Sequence, residues 1–107
     1  MSTTVQPCRL ASVCAAASRH GCTVVLKGSG TVVAHPGERP SINPTGNARL
    51  ATAGTGDVLA GMVGAVLAAG HPPREAAVAA VWQHGALADR WQANRPLAAS
   101  ALARAGF

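Results

Sequence analysis

Leu10, Val13, Cys14 and Ala17 are apolar at i, i+3, i+4 and i+7, the stripe of a short amphipathic helix. It predicts a helix over about 9–20, with Gly21 suited to its C-terminus. Thr23-Val24-Val25-Leu26 and Thr31-Val32-Val33-Ala34 are β-branched runs, each expected as a strand buried on both faces, joined by the Gly-rich turn Lys27-Gly28-Ser29-Gly30. Residues 35–45 hold Pro36, Pro40 and Pro44 and read as loop around a short extended piece at Ser41-Ile42-Asn43. From Thr55 a helical face runs through Val58, Leu59, Met62, Val63, Val66 and Leu67, until Gly70-His71-Pro72-Pro73 stops it. Pro73 opens a further helix with Glu75 in its first turn, carrying Val78, Val81 and Trp82 to about Gln92. Pro96 starts a last one, from Leu97 to Ala105. Helices sandwiching a mostly parallel sheet fit this order, but two strands are too few to build such a sheet. The remainder is expected from a partner, or is missing.

Composition sharpens that expectation. Hydrophobic residues make up 49% of the 107, yet 24 of them are Ala, and Leu, Ile, Val and Phe together number 21. A compact chain of this size buries roughly 65% of its unfolded surface, so the core is one domain's worth and thin. Charged residues at 12% are too few for a disordered chain. No apolar run reaches the length of a membrane span, and Met1 to Pro7 lack the pattern of a signal peptide, so a soluble, cytoplasmic protein is expected. Cys8, Cys14 and Cys22 have no metal-clamping spacing and read as reduced thiols. The net charge of +5 comes from basic residues spread singly, and with no Tyr and one Phe the aromatic platforms for single-stranded bases are missing. A small anionic ligand or plain solubility explains the balance better than nucleic acid. The four histidines have Pro or Gly neighbours and read as surface or loop residues. Trp82 and Trp91 read as core packing or a subunit contact.

Chemistry concentrates between Asn43 and Gly61. Gly54-Thr55-Gly56-Asp57 leads into the strong helix, and glycines at a helix start allow a tight turn whose backbone N–H groups and dipole attract an anion. G-x-G-x-x-G fails because Leu59 holds the third glycine position, and no G-x-x-x-x-G-K-[ST] occurs. Asp57 places a carboxylate inside this cradle, which makes sense if it faces a hydroxyl. The hydroxyl proton could pass to Asp57 as its oxygen attacks phosphorus, with the N–H groups stabilising the transferring oxygens. Alternatively Asp57 simply favours the helix N-terminus, or Thr55 caps it. Lys27 could be only the polar end of a strand, and Thr45-Gly46-Asn47 is a turn by composition.

Lys27-Gly28-Ser29-Gly30-Thr31 after an apolar strand, Asn43 to Asn47, and Gly54-Thr55-Gly56-Asp57-Val58-Leu59-Ala60-Gly61 together resemble the C-terminal part of the ADP/ATP-dependent NAD(P)H-hydrate dehydratases, in the ribokinase-like carbohydrate kinase superfamily. The resemblance spans about Arg9 to Leu102, with Pro96 to Leu102 similar to the family's last helix. It implies an α/β fold, the C-terminal part of a three-layer α/β/α sandwich that is incomplete in this chain, with residues 1–107 as one partial domain. It also implies repair of the 6-hydroxy, hydrated forms of NADH and NADPH (NADHX and NADPHX). The substrate hydroxyl is phosphorylated from ADP or ATP and phosphate is then eliminated. Residue by residue, Asp57 matches the base that meets the hydrate, Gly54, Thr55 and Gly56 the anion hole, and Lys27, Gly28, Ser29, Gly30, Thr31 and Gly56 the nucleotide contacts. Asn47 joins Asp57 on the substrate side. Magnesium is expected with the nucleotide phosphates, without a metal ligand from this chain.

Family members run to more than twice this length, and the N-terminal part carries most of the central sheet. The chain is therefore expected to be a truncated gene, a mis-called start or one fragment of a split protein, working as a homo-oligomer or with a complementing N-terminal fragment. A superfamily small-molecule kinase is a second reading, since the cradle and Asp serve both, although Lys27–Thr31 with Asn43–Asn47 favour the dehydratase. A non-catalytic remnant or basic interaction module is a third.

Overall fold

The stripe from Leu10 becomes helix α1 (Pro7–His20), which buries Val13 and Ala17 and ends where Gly21 turns to φ 63°. A computed structural model describes residues 7–28, 30–47, 50, 54–91, 95 and 97–106. After α1 come β1 (Val24–Leu26), β2 (Val32–Ala34), β3 (Ser41–Ile42), α2 (Thr55–Ala68), α3 (Pro73–Asp89) and α4 (Ala99–Gly106). The helix expected to run to about Gln92 ends at Asp89, where Arg90 caps it, and the last helix begins at Ala99 rather than Leu97; Gln92, Pro96 and Ser29 lie outside the described residues.

The two expected strands pair across the Gly-rich turn, and a third joins their sheet. Its order is β1-β2-β3, antiparallel throughout, with Val25 opposite Val33 and Ser41 opposite Val33 on the other side. The reason is connection length, since residues 27–31 and 35–40 are too few for the crossover that parallel neighbours require. The extended piece at Ser41-Ile42 is long enough to be a third strand, and the Asn43 N–H continues the ladder to the Thr31 carbonyl at 2.8 Å. Only β2 is fully buried on both faces; β1, at the sheet margin, is half-buried.

Alternation along β2 divides the core in two. Val32 and Ala34 face α1 and pack with Val13, Ala17, Val24 and Leu26, while Val33 faces the other way onto Leu59, Met62, Val81, Leu87 and Leu102 of α2, α3 and α4. Helices thus cover both faces of the sheet. Much of the packing uses alanine, with Ala76, Ala77, Ala80 and Ala88 buried on α3, which lets α2 and α3 approach closely. The face expected on α2 turns outward at its end, where Leu67 is 41% exposed, and Trp82 on α3 is 49% exposed. Trp91 packs against the core as expected. Among the described residues no helix is long and apolar enough to cross a membrane.

Candidate functional site

The N-terminus of α2 is open. Gly54 is its N-cap at φ 88°, a conformation that suits glycine, and no side chain caps the helix. Thr55 is the first helical residue rather than a cap: it is buried, and its hydroxyl donates to the Leu50 carbonyl at 2.6 Å. The first helical bond runs from Val58 N–H to the Gly54 carbonyl, so helix geometry alone supplies no acceptor for the N–H groups of Gly56 and Asp57. Asp57 stands exposed on this turn.

Lys27 reaches the same place from the end of β1. A Cβ added to Gly56 would lie 3.2 Å from Lys27 Nζ, so the missing side chain of Gly56 is what admits the ammonium. A cation and the positive end of a helix dipole are thereby set side by side, an arrangement that an anion between them would stabilise. Behind Lys27 the turn closes on itself, with Thr31 Oγ1 donating to the Gly28 carbonyl at 3.1 Å. The Arg9 guanidinium fills the space beside Gly28, 2.8 Å from where a Cβ would stand. Gly30 adopts φ 69°, and Ser29 is outside the described residues.

Asn47 belongs to a second cluster. The Asn43–Asn47 loop is bound to α3: Asn43 Nδ2 donates to the Val81 carbonyl at 3.3 Å and Thr45 Oγ1 to that of Trp82 at 2.9 Å. The Gly46 N–H and Asn47 Nδ2 donate to the two oxygens of Asp89, at 2.9 and 3.1 Å. Gly85 makes the approach feasible, because a Cβ there would meet the Thr45 hydroxyl and stand 2.6 Å from the Thr45 carbonyl carbon.

His84 links the clusters and corrects the surface expectation for the histidines. His20 and His71 are exposed and His35 is half-buried in a loop, but His84 is only 3% exposed and its Nε2 bonds the Thr55 carbonyl at 3.0 Å. A carbonyl only accepts, so Nε2 carries the proton. Burial lowers the His84 pKa below its ordinary 6.5; the bond to Thr55 works against that, and the nearby Lys27 charge adds to it. Because the folded value lies below the unfolded one, the unfolded chain binds the extra proton as pH falls, and the contribution to stability is full above about pH 6.5 and lost below it. We expect the native protein's melting temperature to drop from about pH 7 to about pH 5, and the drop to shrink in His84→Gln; an unchanged profile in the variant contradicts this.

The sequence itself marks two of these residues. His84 continues the buried stripe Ala77, Ala80, Val81 and Ala88 on α3. Asp89 puts an acid at the negative end of a helix, unfavourable unless something else holds it. Among the described residues no three His, Cys, Asp or Glu side chains stand together as a metal cluster.

The profile of the NAD(P)H-hydrate dehydratase family matches residues 3–105. The chain belongs to this family. Its relatives include the ADP-dependent (S)-NAD(P)H-hydrate dehydratases of Neisseria meningitidis serogroup B and Bacillus subtilis. The first is 50% identical over 99 residues, 92% of this chain and 33% of that protein. The second is 47% identical over 68 residues, 64% of this chain and 25% of that protein. The structure of the ADP/ATP-dependent NAD(P)H-hydrate dehydratase from Bacillus subtilis, co-crystallised with ATP/Mg2+, superposes with a TM-score of 0.80 at 36% identity, over 92% of this chain and 36% of that one. This chain therefore has the α/β, carbohydrate-kinase-like fold of its relatives and spans about a third of their length.

Proposed function

We propose that this chain is the nucleotide-binding and catalytic part of a lyase that returns NADHX and NADPHX to NADH and NADPH. The observation that carries the reading is the Lys27 ammonium beside the open side of Gly56, at an uncapped helix N-terminus that also bears an exposed Asp57. The co-substrate is ADP or ATP, in keeping with the ADP dependence of the named relatives. Gly54, Thr55 and Gly56 form the anion hole for its phosphates, and Lys27, Gly28, Ser29, Gly30 and Thr31 line it. Asp57 accepts the proton of the substrate hydroxyl as that oxygen bonds to the terminal phosphorus of ADP or ATP and the bond to the bridging oxygen breaks, releasing AMP or ADP; phosphate then leaves the ring carbon together with a proton from the neighbouring carbon, which restores the ring double bond. Asn47 contributes to the substrate side. Magnesium fits this donor set as an ion carried by the phosphates, where it neutralises charge, since a small hard cation keeps water and phosphate oxygens as ligands.

Residues 1–107 act as one partial domain of a cytoplasmic enzyme, completed by the family's remaining length or by self-association. The test of the anion hole is Gly56→Val. Its branched side chain would displace the Lys27 ammonium and cover the N–H groups, so ADP affinity of the native protein should fall by roughly tenfold or more, the worth of one or two charge-assisted hydrogen bonds. The α2 packing face is untouched. Unchanged ADP affinity in a folded variant, measured by calorimetry, removes the anion-hole assignment.

A further inference from the structure

The two clusters share one support, helix α3. Near its middle His84 bonds the Thr55 carbonyl in the first turn of α2, and Gly85 lets the Thr45–Gly46 backbone lie against the helix. Four residues on, Asp89 takes the Gly46 N–H and the Asn47 amide. An α-helix is stiff and rises a fixed ~1.5 Å per residue, so two segments bonded to it are held at a set distance from one another. Both residues stand where α3 by itself disfavours them, since a buried imidazole is costly unless bonded and a carboxylate at a helix C-terminus opposes the dipole, so each depends on the segment it holds.

We propose that His84 and Asp89 are positioning residues, through which α3 fixes the Asn43–Asn47 loop relative to the Gly54–Asp57 cradle and so sets the gap between hydrated dinucleotide and phosphoryl donor. This rests on the functional reading above, in which the loop serves the substrate and the cradle the nucleotide. The two residues act on different ligands. Asp89→Ala releases the Gly46–Asn47 end of the loop, and in the native protein KM for NADHX rises about tenfold while ADP affinity is unchanged. His84→Phe leaves the loop bound but releases the first turn of α2, and ADP affinity falls by several-fold. His84→Gln, whose amide N–H can reach the same carbonyl, restores it.

Asp89→Asn, which keeps one carbonyl acceptor, guards against misfolding of the alanine variant and gives a smaller rise in KM with ADP affinity intact. A purely structural role predicts that both affinities fall together with the melting temperature, or that neither changes, and either result overturns the proposal. Native protein that binds ADP but never converts NADHX overturns the functional reading instead. Amide exchange then tests the positioning: Asp89→Ala should speed exchange at Gly46 and Asn47 but not in residues 54–57, and His84→Phe in residues 54–57 but not at Gly46 and Asn47, whereas acceleration of both segments by either variant refutes it.

Discussion

Asp57→Asn is expected to leave the native protein able to bind ADP and almost unable to convert NADHX to NADH, with turnover lower by about 10²- to 10⁴-fold, the usual worth of a general base. The amide has the shape of the carboxylate but cannot take the hydroxyl proton. It also removes a negative charge from beside the phosphates, so ADP affinity should hold or rise slightly. Asp57 is exposed on the first turn of a helix whose N-cap is a glycine with no capping side chain, so its carboxylate is open to solvent beside the cradle. The recovery of NADH absorbance measures the turnover and calorimetry the ADP affinity. Wild-type turnover in the asparagine variant would reduce Asp57 to a residue that merely suits a helix N-terminus.

The second large effect concerns the 107 residues produced by themselves, which we expect to show no detectable ADP-dependent repair of NADHX. Among the described residues β1 and β3 each border the sheet on one side only, and an unpaired edge offers backbone groups to any other strand. Between α2 and α3 lies a groove of about 500 Å³ lined by Met62, Val66, Val78 and Trp82, close to exposed Leu67. Apolar surface of this kind drives association or loosened packing, and the alanine-rich core has little stability in reserve. Adding the remaining length of the family, covalently or as a second chain, should restore turnover. A monodisperse monomer that unfolds cooperatively and repairs NADHX would contradict the expectation.

What the sequence by itself determined is what depends on neighbours along the chain. The α1 stripe, the stop at Gly21, the start of α2 at Thr55 and the opening of α3 at Pro73 are set by periodicity and by residues that favour one backbone conformation, and all stand where the pattern predicts. The motifs also carried the family. Only the tertiary structure decided which of these residues meet. Lys27 and Gly56 are 29 positions apart, and nothing local says that the missing Cβ of one makes room for the ammonium of the other. The short extended piece at Ser41–Ile42 pairs with β2 as a third strand, a partnership that no local pattern shows. His84 and Asp89 were unreadable as site supports because their partners, Thr55 and the Gly46–Asn47 turn, lie 29 and 42 to 43 residues away. Hydrogen bonds over such separations form only once the helices have packed, and it is that packing, not the local pattern, that turns a buried histidine and a terminal aspartate into anchors for the two halves of the site.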